Sequence, residues 1–236
     1  MLHKESAVQF VQYNKKCMIE KRYKDAFERA TNERKERVLE VGIEEFSSNG
    51  YENANINVIA KKAGISIGLM YKYFSTKEDL FITCVQRGMN ILDEAVDQII
   101  KGDDKLLIKA EKLIRTTCAH SKKNANYIRL YNEITSDKGS EMVNTLVKEI
   151  EGNTSKKYVD AITQALAKGD VRQDLDPRLF AFFLDNLLTT LQFSYTCTYY
   201  KERFEMYTGV NIDEMDEEQI VKQLLKFVES AFTFEK

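Results

Sequence analysis

One proline and ten glycines are all that punctuate 236 residues. These two residue types oppose helix interiors most, by roughly 3 and 1 kcal/mol relative to alanine, and the stretches between them carry apolar residues at helical spacing. The chain is therefore read as all-α, and a sheet-rich fold is set aside. No apolar run approaches the roughly 20 residues that span a bilayer, and no charged and then apolar leader opens the chain. A cytoplasmic protein without a membrane partner is expected. The four cysteines, Cys17, Cys84, Cys118 and Cys197, lack C-x-x-C spacing and are expected as free thiols. Histidine occurs only at His3 and His120, neither of them three residues after a glutamate as a di-metal bundle would require. Phosphate-binding glycine loops and G-x-S-x-G are also missing. Catalytic residues, a metal and a cofactor are accordingly all expected to be absent.

What is there suffices for a packed core: 43% of residues are hydrophobic, and the length suits one small domain and one larger one. The net charge of -2 rules out a wholly basic nucleic-acid coat, so any DNA affinity must be local. From Ala54 to Lys77 the chain carries Lys61, Lys62, Lys72 and Lys77 with no acid, whereas Asp213 to Glu218 holds five acids and no base. Such segregation suits a protein with one DNA-facing end.

Residues 1–29 read either as a helical extension, with a weak stripe through Val8, Val11, Ile19 and Tyr23, or as an arm. From Asn32, the spacing of Leu39, Ile43 and Phe46 predicts a helix that Asn49-Gly50 stops. Asn55 is placed to cap a two-turn helix ended by Gly64, Ser66 to cap a third ending near Phe74, and Thr76 with Asp79 to start a long fourth running to about Lys101. Beyond Gly102 the pattern predicts helices over about 104–120, 124–136, 139–151, 153–168, 177–206 and 216–233. Asp176-Pro177 is the sharpest of their starts. The domains expected are 30–78, reading DNA, and 79–236.

Between Ile56 and Phe74 the spacing is that of a helix-turn-helix. Small Ala60 lets two helices approach, Gly64 supplies a left-handed turn residue, and Ile65 plugs the corner. The second helix would then offer Ile67, Gly68, Tyr71, Lys72 and Tyr73 to a major groove, with Lys77 beside a phosphate.

Gly50-Tyr51, Ile56-x-x-Ile59-Ala60-x-x-Ala63-Gly64-Ile65-Ser66-x-Gly68-x-x-Tyr71-x-Tyr73-Phe74 and Thr76-Lys77-Glu78-x-Leu80 together closely resemble the N-terminal signature of the TetR (tetracycline repressor-like) family. The resemblance covers about residues 33–82. It implies DNA-facing roles for Asn55, Asn57, Ile67, Gly68, Tyr71, Lys72, Tyr73 and Lys77. Ala54 departs from the family's usual phosphate-contacting threonine or serine, leaving Asn55 to supply that bond. Ile67 replaces a usual polar residue, and either meets a thymine methyl or marks a lost phosphate contact.

The same resemblance implies a C-terminal helical domain that binds a small molecule and dimerises through its last two long helices, here through Phe183, Leu187, Leu191, Tyr195, Leu224, Phe227 and Val228. Aromatic residues in this half exceed what two helical stripes can use. Tyr127, Tyr131, Phe182, Asn186 and Phe193 are therefore candidates to line a pocket for an apolar or aromatic effector. The partners expected are operator DNA, a second copy of the chain and that effector, with the helix from Lys77 as lever. The competing reading is a helical protein-interaction scaffold indifferent to DNA.

Overall fold

The computed structural model describes residues 21–135 and 141–233. The stripe through Val8, Val11 and Ile19, and Cys17, lie outside them. Among the described residues the order is α1 (Asp25–Glu28), α2 (Asn32–Asn53), α3 (Ile56–Lys62), α4 (Ile67–Tyr73), α5 (Lys77–Lys101), α6 (Leu106–Lys123), α7 (Ala125–Thr135), α8 (Glu141–Lys168), α9 (Pro177–Thr196), α10 (Thr198–Thr208) and α11 (Glu217–Phe232). The described residues contain no strand.

Local chemistry explains most boundaries. Asn55 and Ser66 accept from Asn57 N and Leu69 N, and Thr76 with Asp79 forms a reciprocal capping box. Asp176 caps α9 with Pro177 in the first turn. Two expectations need correcting. A single helix, α8, runs through Gly152, where 139–151 and 153–168 were expected as separate helices. The glycine costs only about 1 kcal/mol of helix propensity, and Tyr158, Ile162 and Ala165 bury the same helix further on. Conversely, 177–206 is two helices, because Cys197 is extended (φ -109°, ψ 128°) between Thr196 and Thr198. Thr196 Oγ1 donates to the Gln192 carbonyl there, and the two β-branched neighbours weaken helix continuation.

Two large cores result. One gathers Phe27, Val38, Phe46, Ile59, Met70, Tyr73, Phe74 and Phe81, with Leu130 and Ile134 of α7. The other joins α5, α6, α8, α9 and α11 through Val96, Leu113, Ile162, Leu184, Leu188, Val221 and Phe232. Helix α7 is therefore packed on the N-terminal core while it also lines the C-terminal half. Among the described residues, no helix is long and apolar enough to cross a membrane. Cys84, Cys118 and Cys197 are buried and unpaired.

Candidate nucleic-acid interface and ligand cavity

The α3–α4 corner follows from three local features. Gly64 has φ +71° and open space where a Cβ would stand, so the positive φ alone is what favours glycine there. Ile65 N donates to the Ala60 carbonyl at 3.0 Å, and Ala60, only 2% exposed, lets the helices meet. Helix α4 consequently turns Ile67, Gly68, Tyr71 and Lys72 to solvent, and Tyr71 keeps half its surface. Asn55 and Asn57 are exposed at the start of α3. The Asn55 side-chain oxygen is spent on capping Asn57 N at 2.9 Å, which leaves its amide hydrogens for an acceptor.

Tyr73 does not share this face. At 3% exposure its ring sits edge-on to Phe27 with centroids 5.3 Å apart, which makes it core. Successive helical residues lie about 100° apart, so Tyr71 and Tyr73 differ by some 200°. Lys77 is half-buried, its ammonium donating to the Glu52 carbonyl at 2.9 Å and lying 4.9 Å from the Tyr51 ring centroid. It therefore begins α5 while also closing the end of α2.

Two supports of the reader escaped the sequence reading. Lys24 Nζ donates to the Tyr71 carbonyl at 2.9 Å, and Lys24 N to that of Tyr73 at 2.9 Å, tying the segment before α1 to the end of α4. Glu45 is 6% exposed, accepts from Asn55 N at 3.3 Å and faces Lys62 at 3.6 Å. Its signal was present: an acid four residues after Val41 on an apolar stripe. Such a residue needs a partner when buried.

In the C-terminal half, a cavity of about 560 Å³ opens between α5, α6, α7, α8 and α9, within the size range of small-molecule sites. Met89, Leu92, Val96, Leu113 and Leu188 make its apolar wall, and Thr117 and Gln192 add polar groups. A second cavity of about 480 Å³ is lined by Phe182, Asn186, Phe193 and Tyr200. Tyr131, Glu151, Tyr158, Asp185 and Thr189 line both. Of the expected ligand residues, Tyr131 thus reaches both spaces, while Phe182, Asn186 and Phe193 reach the second. Tyr127 reaches neither. It packs against Gly88, where an added Cβ would overlap its ring, and borders a void of about 10 Å³. The acids Glu151 and Asp185 gave no signal because acids on amphipathic helices are ordinarily solvated, and only the packing of α8 and α9 brings these two to the cavities.

Burial sets the electrostatics of this wall. Tyr131 Oη donates to Glu151 Oε1 at 2.6 Å, and burial, then the Glu151 charge, pushes the phenol above its ordinary value. Burial, with Glu151 nearby, raises the Asp185 carboxyl from 3.8 to about 7. An acid whose folded value is raised keeps its proton where the unfolded chain has released it, so stability falls as pH rises from about 4 to about 7. At pH 8, Asp185→Asn is expected to stabilise the protein by up to about 4 kcal/mol, from about 1.36 kcal/mol per unit. Urea midpoints at pH 5 and pH 8 check this. A variant no more stable than the parent at pH 8 would refute a costly carboxylate.

Helix α7 links this cavity to the reader. Glu133, two residues beyond Tyr131, accepts from Tyr51 N at 3.3 Å, at the kink where Gly50 has φ +72°. Arg87 of α5 pairs with Glu36 of α2 at 2.7 Å.

The residues expected at a dimer interface divide. Phe183 and Phe227 are 53% and 62% exposed, and Leu187 and Leu224 are half-buried. Leu191, Tyr195 and Val228 are buried in the chain's own core, at 8%, 5% and 2%. The stripe continues past the exposed start of α9 into the chain's own core, where Lys122 of α6 lies 5.3 Å from the Tyr195 ring centroid.

Residues 38–84 match the family profile described as "Bacterial regulatory proteins, tetR family". The chain is similar to the "Fatty acid metabolism regulator protein" of Bacillus subtilis (strain 168), 25% identical over 144 residues, which cover 60% of this chain and 73% of that protein. Among solved structures, a TetR family transcriptional regulator from Chloroflexus aurantiacus J-10-FL has a TM-score of 0.64 at 20% identity, covering 90% of this chain and 99% of that one. The transcriptional regulator FadR from Bacillus subtilis, solved in complex with stearoyl-CoA, has a TM-score of 0.66 at 19% identity, covering 83% and 98%. These structural likenesses show a shared fold.

Proposed function

The chain is a DNA-binding transcriptional regulator of the TetR family and not an enzyme, and from that premise we propose that it is a homodimeric repressor released from its operator by a small effector in the Tyr131–Asp185 cavity. The observation that carries the reading is one helix, α7, which lines the cavity with Tyr131 and holds the α2 kink with Glu133. An effector that displaces α7 changes the support of the reader directly.

Residues 30–78 are assigned to reading DNA and 79–236 to effector binding and dimerisation. Asn55, Asn57, Ile67, Gly68, Tyr71 and Lys72 form the DNA face, with Lys77 at its edge. In a dimer the two α4 helices must meet successive major grooves, about 34–36 Å apart. The exposed apolar residues Leu179, Phe183 and Phe227 of α9 and α11 supply the dimer contact. An effector works by favouring a dimer with the wrong spacing. Its body is apolar or aromatic with one polar end, as the Met89, Leu92 and Tyr131 wall demands.

The test is a mobility shift of the full-length protein on the DNA upstream of its own gene, across a salt series. A specific shift is expected, with log affinity falling against log salt by about 0.9 per phosphate contacted. Binding indifferent to sequence would count against an operator reader, and no binding would favour the scaffold.

A further inference from the structure

We propose that the effector is an organic cation, a compact apolar or aromatic body bearing one positive charge, held between Glu151 and Asp185. The inference deepens the effector-cavity reading and rests on it. Among the described residues Asp185 has no hydrogen-bond or ion-pair partner, and Glu151 has only the Tyr131 hydroxyl. Tyr158 is 5% exposed and lines both cavities, and its hydroxyl also has no hydrogen-bond partner among the described residues. Two carboxylates and an unpartnered phenol therefore converge on one space that no side chain neutralises.

The nearby cations are occupied or remote. Lys157 is committed to Asp93, at 2.5 Å, and to Asp97. Arg178, at the second cavity, is paired with Asp176 at 2.9 Å. Lys156 lines the first cavity but is exposed and makes no ion pair with either acid.

Buried charges persist only when paired. A neutral ligand or a fatty acyl chain would set methylenes against Glu151 and Asp185 and worsen their desolvation. A cation supplies the missing partner, and the rings of Tyr131 and Tyr158 add the favourable face that aromatic groups present to cations. Affinity should also rise between pH 6 and pH 8, as Asp185, titrating at about 7, becomes charged. Of the charged and titratable groups that line the two cavities with it, Glu151, Tyr131, Tyr158 and Asp93 carry no positive charge, Lys156 makes no ion pair with it, and Arg178 is held by Asp176.

Tetraphenylphosphonium and tetraphenylborate, ions of nearly the same size and opposite sign, test the proposal by calorimetry on the full-length protein. The phosphonium is expected to bind at least about 10-fold tighter than the borate, a difference of about 1.4 kcal/mol, and to tighten from pH 6 to pH 8. Asp185→Asn and Glu151→Gln should each weaken the phosphonium by about 10-fold and spare the borate. Equal binding of both ions would overturn the charge assignment while keeping the cavity as a ligand site. Binding of neither would overturn the cavity reading and the proposal with it. Phosphonium binding untouched by both substitutions would place the cation elsewhere and also overturn it.

Discussion

Tyr71→Ala is expected to lower operator affinity by about 10- to 100-fold, the range of about 1–3 kcal/mol that a direct groove contact commands, without moving the melting temperature. Tyr71 stands 50% exposed on the outer face of α4, and substitutions of such residues usually change stability by no more than about 0.5 kcal/mol. Tyr73→Ala provides the contrast. Its ring is buried against Phe27, so its loss should reduce both stability and binding. Anisotropy titrations with operator DNA, paired with thermal melts of each variant, separate the two. If Tyr71→Ala binds within two-fold of the parent, α4 does not read DNA through this face.

Phe46→Ala should cost about 3–5 kcal/mol of stability, a large share of the roughly 5–15 kcal/mol by which domains are stable. Phe46 is fully buried, packing edge-on against Phe81 with centroids 5.1 Å apart and beside Tyr51 at 6.3 Å. It thereby joins α2, the Gly50–Tyr51 kink and α5, the three elements that orient α3 and α4. Operator binding should be lost at temperatures where the parent is still folded. Urea unfolding gives the size of the effect, and a loss below 1 kcal/mol would mean that the site refills or that Phe46 is not central to the reader.

The cavity shows where sequence reading reached its limit. Tyr131 and Phe193 were identifiable as surplus aromatics, yet Phe193 is packed at 5.8 Å from Tyr131 and 5.1 Å from Tyr200 and reaches only the second cavity. Glu151 and Asp185 carried no signal, because acids on amphipathic helices are ordinarily solvated and only the rotation of α8 and α9 turns these two inward. Tyr127 was chosen for the same reason as Tyr131. It lies four residues before Tyr131 on α7, where its neighbour is Gly88 and neither cavity.

The dimer stripe failed in a similar way. Leu187, Leu191 and Tyr195 repeat at helical spacing, and periodicity marks a buried face without saying what buries it. Here Leu191 and Tyr195 are buried in the chain's own core, Tyr195 with Lys122 of α6 5.3 Å from its ring centroid. Phe183 and Phe227 remain uncovered.

The sequence alone determined the helix-turn-helix, since its instructions are local: the caps at Asn55, Ser66 and Thr76, the positive φ reserved by Gly64, and the small Ala60 all act within a few residues of themselves. Tertiary structure decided which of Tyr71 and Tyr73 meets solvent, joined Glu133 to the Tyr51 turn, and brought Glu151 and Asp185 to one wall. Those outcomes depend on how each helix is rotated against its neighbours. Burial on the remaining faces of the bundle sets that rotation, and the 3.6-residue period leaves it open.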